Sequence, residues 1–487
     1  MSFPIDSRGD EPRFLAIARA VSDAIASGRL RPGDALPGSR ALAESAGVNR
    51  NTVLAALREL HGEGWIETDG TRGTFVTRDL PERKARAMRG LPAAKRDAAR
   101  PAFELRGVSP SELGMRHHPG PVPPRAPFPL LGGWPDVSLV PHAEIARAFR
   151  RALARSGSEL LGYGDSRGDQ RLRRALAALL AQTRGVVAGE DGLVVTRGSQ
   201  MALDLAARAT LARGDVVAVE AYGYRPAWEA FRAAGAELVP VAVDASGIRV
   251  DALEALARKR TVRAVYVTPH HQYPTTAMLP AARRLALLDL AKRERFAIFE
   301  DDYDHEFQYD GRPTLPLASA DDGSRVVYVG TLSKVLAPGL RIGFLVGPRA
   351  LLERAAALRA FVDRQGDLAV ERAVAEIIDD GLLARHARKM RRIYRERRDA
   401  LAEALEKKIP QLSFDVPAGG LAIWVRAPRK CDVDAWALRA AERGVLVHTA
   451  RRFTFDGRAE PRMRLGFAPL EPKKIQEAVG RLATCAS

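Results

Sequence analysis

Across residues 13–27 the apolar side chains fall at Phe14, Ile17, Val21 and Ile25, so the spacing predicts a helix with one buried face. Gly28 ends it, and Arg31-Pro32-Gly33-Asp34 reads as a turn. Ser39 is expected to cap a short second helix over 40–46, which Gly47 stops. Asn49 is expected to cap a third, in which Val53, Leu57 and Leu60 face inward. A short helix, a tight turn and a following helix make a helix-turn-helix. Residues 65–68 and 73–76 then alternate like two short strands around a Gly-containing tip, which predicts a wing.

The periodicity lapses between Leu80 and about Pro124, where basic residues give way to Pro-rich pieces, so this stretch reads as a tether between domains. From Gly192 onward apolar runs at 192–196, 216–220, 238–243, 264–268, 297–300 and 326–329 are separated by amphipathic stretches such as 201–211 and 280–292. That alternation predicts an α/β domain with a largely parallel sheet covered by helices. After about residue 351 a long helical stretch leads to strand-like runs at 420–425 and 462–467, expected to belong to a smaller α+β part. The expected divisions are a winged helix-turn-helix domain over 1–78, a basic Pro-containing linker over 79–124, and an α/β domain over 125–487 whose larger part ends near 350.

Composition changes this picture in two ways. A chain of 487 residues exceeds what one core supports, in keeping with several domains. The formal net charge of +17 suits a phosphate-backbone partner, although an Arg- and Ala-rich composition accounts for it equally. Cys431 and Cys485 are far apart and offer neither a disulfide framework nor a zinc pattern, and no metal site is expected. No apolar run approaches the roughly 20 residues of a membrane span. The N-terminus lacks a basic region followed by an apolar one, so no signal peptide is expected and the cytoplasm is the default.

The chemistry concentrates around Gly330-Thr331-Leu332-Ser333-Lys334 and Arg341. The apolar run before it places Lys334 at a strand end, on the rim of a sheet. Thr331, Ser333 and Arg341 suit an anion such as a phosphate, and a lysine beside a phosphate site suggests pyridoxal phosphate. Most lysines are solvated, so the stretch alone leaves a surface lysine open too. Ser199 and Gln200 follow a strand and open a helix, where backbone N–H groups suit a phosphate or serve an ordinary cap. Tyr224 follows the next strand and could stack on a flat ring or simply line the rim. In Phe299-Glu300-Asp301-Asp302-Tyr303 three consecutive acids end a buried strand, which is costly unless they meet a cation or polar ligand. A carboxylate there could keep a pyridine nitrogen protonated, and a phenol could reach the ring oxygen. At the start of the third helix, Arg50 and Asn51 suit base edges and Thr52 a phosphate, with Arg40 and Arg72 within reach of a DNA backbone. The plainer alternative is a helical packing module with solvated polar faces.

Several of these motifs resemble known families. Leu36-Pro-Gly-Ser-Arg40, Gly47-Val-Asn-Arg50-Asn-Thr52, Leu60-His-Gly-Glu-Gly64-Trp-Ile and Arg72-Gly-Thr-Phe-Val76 resemble the GntR-type winged helix, which binds operator DNA as a dimer. From about Phe128 onward the chain resembles fold-type I, class I/II-like aminotransferases. That resemblance implies Lys334 as the lysine forming the internal aldimine with pyridoxal 5'-phosphate, Asp301 on the pyridine nitrogen, Tyr303 on the ring hydroxyl and Tyr224 stacked on the ring. It implies Ser199, Gln200, Thr331, Ser333 and Arg341 around the phosphate, Tyr163 reaching the partner subunit's phosphate, and Arg464 gripping an effector carboxylate. The segment from Thr268 to Thr276 departs from the family pattern: His270 stands for a usual Ser, Thr276 for a usual Gly, and Tyr273 where ordinary aminotransferases have Asn.

In this order the two halves resemble the MocR/GabR-type regulators. The resemblance implies a head-to-tail homodimer that binds double-stranded operator DNA. It implies sensing of a small amino compound, or of pyridoxal phosphate itself, through Lys334. The alternative is a working aminotransferase carrying an accessory DNA-binding module.

Overall fold

The computed structural model describes residues 12–70, 72–81, 127–311 and 314–486. The chain divides into two compact units, at Gly107/Val108, and each is described by itself. Apart from residues 79–81, the expected linker lies outside the described residues.

Among its described residues, the first unit holds three helices and a two-stranded wing. Helices α1 (Arg13–Ala26), α2 (Ser39–Ala46) and α3 (Arg50–Gly62) close around Ile17, Val21, Ile25, Leu42, Val53 and Leu60. Asn49 caps α3 as expected, its Oδ1 accepting from the Asn51 N–H at 2.9 Å. Ser39 does not cap α2. Gly38 holds the extended flanking position, so Ser39 already lies in the first turn and its hydroxyl instead accepts from Arg50 Nε at 3.2 Å. Strands β1 (Ile66–Asp69) and β2 (Gly73–Val76) pair antiparallel with Asp69 opposite Gly73, which fixes the wing.

The second unit is organised on a seven-stranded sheet. Its strands are β3 (Leu193–Thr196), β4 (Val216–Glu220), β5 (Glu237–Val241), β6 (Val262–Val267), β7 (Ala297–Asp302), β8 (Val326–Thr331) and β9 (Gly343–Val346), in the spatial order β3-β9-β8-β7-β6-β4-β5. Six strands share one direction, and β9 runs against both its neighbours. The sheet is therefore mixed at one edge, a strand that the sequence reading missed. Residues such as Val194, Val217, Phe299 and Val329 pack against one set of helices, including α4 (Ser199–Thr210) and α5 (Arg225–Ala233). Val195, Val265, Ile298 and Tyr328 pack on the other side, in the core that includes Leu287 and Leu290 of α6 (Ala281–Glu294). Both faces are covered, so the strands are apolar throughout rather than alternating.

The C-terminal part begins with long helices, including α7 (Leu382–Lys408), and carries a three-stranded antiparallel sheet. Its strands are β10 (Ala422–Arg426), β11 (His448–Thr449) and β12 (Arg462–Gly466), in the order β10-β12-β11.

Candidate functional site

Strand β7 runs two residues further than expected, so Glu300, Asp301 and Asp302 all lie within it. Side chains alternate across a strand, and the three acids part accordingly. Glu300 accepts from the Leu317 and Ala318 N–H groups at 2.7 and 2.9 Å. Asp302 accepts from the Tyr328 hydroxyl at 2.6 Å and lies near Arg184. Asp301 is on the opposite face, where its Oδ2 accepts from Tyr266 at 2.8 Å and its Oδ1 has no partner among the described residues. Burial pushes the Asp301 carboxyl up to about 7, against the pull of the Tyr266 hydrogen bond. A cation beside Oδ1 would restore its charge.

Asp301 opens onto a cavity of about 750 Å³ at the C-terminal ends of the strands. The residues predicted from the sequence that line it are Ser199, Gln200, Tyr224, Asp301, Tyr303, Thr331, Ser333, Lys334 and Arg341. Lys334 lies three residues beyond the end of β8. Burial lowers its amine to about 8, and Arg464 adds to the effect. A fraction of the amine is thus neutral, and nucleophilic, near neutral pH. Tyr303 donates to the His271 carbonyl at 3.0 Å. Tyr224 meets Tyr273 edge to face, with ring centroids 5.6 Å apart.

One wall suits a phosphate. Gly198 takes a φ of +82° to start α4, and a side chain on it would press against the Arg341 guanidinium. Gly343 passes so close to the Gly198 backbone that only glycine fits there. Arg341 is anchored by a 2.7 Å bond from Nη2 to the Arg197 carbonyl. Thr331 Oγ1 donates to Ser333 Oγ at 2.9 Å and accepts from the Ser333 N–H at 3.1 Å. Gln200 Nε2 donates to the Pro226 carbonyl. The start of α4 therefore joins two hydroxyls and a guanidinium at one end of the cavity.

Arg464 projects from β12 and is fully buried. Its Nε donates to the Pro274 carbonyl at 3.3 Å and its guanidinium lies over the Tyr273 ring at 4.6 Å. Nη1 and Nη2 have no hydrogen-bond partner among the described residues. They adjoin Gly132 of the cavity lining, where any side chain would collide with the guanidinium. Two parallel donors left open in this way match a carboxylate. The donor sets therefore fit pyridoxal phosphate with an amino-acid-like ligand: an amine, an unpaired carboxyl oxygen, an anion wall and a free guanidinium edge.

Tyr163 is outside this cavity. It is 82% exposed, with the Arg364 guanidinium 4.2 Å from its ring centroid. The sequence reading missed the Tyr266 hydroxyl that orients Asp301, the turn Gly132-Gly133-Trp134, and His448 and Arg452 on the cavity wall. His448 pairs with Arg464 in the β11–β12 register. Burial lowers its imidazole to about 3, helped by Arg452 and Arg464, so it is neutral. Tyr266 lies in an apolar strand and Gly132-Gly133 precedes the strand–helix alternation that starts at Gly192, so neither carried a chemical signal of its own.

On the first unit, Arg40, Arg50, Asn51 and Arg72 are exposed and Thr52 is half-buried. The Arg50–Ser39 bond ties the start of α3 to that of α2.

The Aminotransferase class I and II family matches residues 136–482, and the bacterial regulatory proteins of the gntR family match residues 15–76. The chain is 31% identical over 479 residues to the probable rhizopine catabolism regulatory protein MocR of Rhizobium meliloti, covering 98% of this chain and 94% of that one. It is 34% identical over 473 residues to the HTH-type transcriptional regulator TauR of Rhodobacter capsulatus, covering 96% and 95%. Among solved structures it is similar to the alpha-aminoadipate aminotransferase LysN of Thermus thermophilus complexed with N-(5'-phosphopyridoxyl)-L-leucine. That likeness has a TM-score of 0.70 and 28% identity, over 74% of this chain and 92% of that one.

Proposed function

The chain belongs to the MocR-type regulators, a gntR-family winged helix fused to a class I/II aminotransferase domain, and on that premise we propose how its two units work as a sensor. It is a transcription regulator that binds DNA and depends on pyridoxal 5'-phosphate. The cofactor supplies an aldehyde that exchanges between one amine and another.

In this reading Lys334 holds the cofactor until a small amino compound takes its place, and Asp301 keeps its charge by facing the pyridine nitrogen. Tyr303 serves the ring oxygen and Tyr224 the ring face. Ser199, Gln200, Thr331, Ser333 and Arg341 hold the phosphate. Arg464 grips the effector's carboxylate with Nη1 and Nη2. The observation that carries the reading is the neutralisable Lys334 amine on the cavity wall together with the unpartnered edge of Arg464, which lies against Gly132 of that wall and helps lower the amine. One end receives an amine and the other an acid.

The exposed position of Tyr163 suits a contact with the phosphate of a second subunit in a head-to-tail homodimer. Arg50 and Asn51 read base edges, while Thr52, Arg40 and Arg72 hold the backbone. Effector binding alters operator affinity because it favours one of two dimer arrangements. The protein acts in the cytoplasm, and among the described residues no helix is long and apolar enough to cross a membrane.

The purified holoprotein tests this reading when mixed with amino acids and a keto acid while operator binding is followed. The expected result is sequence-specific DNA binding that responds to an amino compound. Robust multiple turnover without sequence-specific binding would replace the regulator by a working aminotransferase.

A further inference from the structure

Behind the cavity, on the face of β7 opposite Asp301, two buried histidines and a carboxylate meet. The His270 and His305 rings stack with centroids 4.6 Å apart and planes 29° from parallel. Both nitrogens of His270 lack a hydrogen-bond partner among the described residues. His305 Nδ1 lies 3.0 Å from Asp302 Oδ2 but off-axis for a hydrogen bond, and Asp302 Oδ1 is also unpartnered. All three residues are more than nine-tenths buried. One ligand-capable atom from each lies within 4.8 Å of the others. Four unpaired polar atoms at one buried point are costly unless something meets them.

We propose that His270, Asp302 and His305 form a structural site for a divalent transition ion of the zinc type. Two imidazoles and one carboxylate are the donor set such an ion takes, and a small inward shift brings them to bonding range. Hard calcium or magnesium would need more oxygens than the site offers. Arg184 is a competing cation, 3.7 Å from Asp302 Oδ2, and it is shared with Glu306 and the Tyr328 hydroxyl. Oδ1 remains for the metal. His271 is not a ligand, because its ring nitrogens lie 2.8 Å from Asp304 and 3.1 Å from Gln308.

The ion would join the end of β7 to the loop that carries Tyr273, bracing from behind the wall that presents Tyr303 to the cavity. A site this enclosed is filled as the chain folds.

The test is metal content of untagged holoprotein produced in zinc- or cobalt-supplemented medium and purified without chelator. About one metal ion per chain is expected in the wild type. It should be lost from both His270→Ser and His305→Ser, with cofactor absorbance confirming that each variant is folded. The cobalt-loaded wild type gives a readout independent of any variant: visible ligand-field bands should report nitrogen and oxygen donors. Less than stoichiometric metal in the wild type, absent cobalt bands, or equal loading of the serine variants would each overturn the proposal.

Discussion

Lys334 lies buried on the cavity wall, and the buried Arg464 guanidinium bears on its charge. Burial and then Arg464 bring the Lys334 amine down to about 8 from its usual 10.5. Capture of pyridoxal phosphate by cofactor-free protein should therefore rise with pH around a midpoint near 8. Arg464→Gln should move that midpoint upward, because a repelling cation is gone. A wild-type midpoint near 10 in stopped-flow absorbance would contradict this environment for the amine. Thr276 poses a separate question of strain. It holds a φ of 63°, the left-handed region, which costs a β-branched residue roughly 1–2 kcal/mol. Thr276→Gly relieves that cost but adds unfolded-chain entropy, so a net gain of about 1 kcal/mol is expected. A denaturant midpoint that falls would refute it. The sequence identified Thr276 as standing where relatives carry Gly, and the backbone gives the reason. The cavity residues of the strand-end motifs were legible because their chemistry is unusual for a buried strand. Tyr266 was not, since an aromatic at the end of an apolar run looks like core until its hydroxyl is seen on Asp301.

Strand β7 concentrates charge where a sheet tolerates little. Burial raises both Glu300 and Asp301 to about 7 from unfolded values of 4.5 and 3.8. The folded protein then keeps protons that the unfolded chain has released. The stability these groups contribute is present at low pH and is lost as pH rises toward 7. Thermal midpoints of cofactor-free protein should show that loss, and Glu300→Gln should flatten it. An unchanged slope would mean that Glu300 is ionised throughout. In the winged helix the expected effects are local. Asn49→Ala removes the α3 cap and should cost about 1 kcal/mol. Arg50→Ala should lower operator affinity while leaving cofactor absorbance unchanged, and equal DNA binding by that variant would exclude Arg50 from the recognition surface. Helix periods and turn residues made these elements readable from the sequence. The antiparallel β9 was not readable, because four residues close behind the Lys334 turn carry too little pattern to show direction.

At the scale of the molecule, a DNA-binding unit and a cofactor-binding unit occupy one chain, and the account requires that they be coupled. The net charge of +17 favours DNA at any sequence and predicts binding that weakens steeply with salt. Specific regulation needs more: an effector with different affinities for two arrangements of the protein, typically a coupling of about 1–3 kcal/mol, or roughly 5- to 150-fold in affinity. The most direct test is the operator dissociation constant of the holoprotein, on a sequence selected from a random library. It is measured with and without an amino compound that visibly shifts the cofactor absorbance. The account predicts that the constant changes by at least about 5-fold when that compound binds. An unchanged constant, with the absorbance fully shifted, would contradict it.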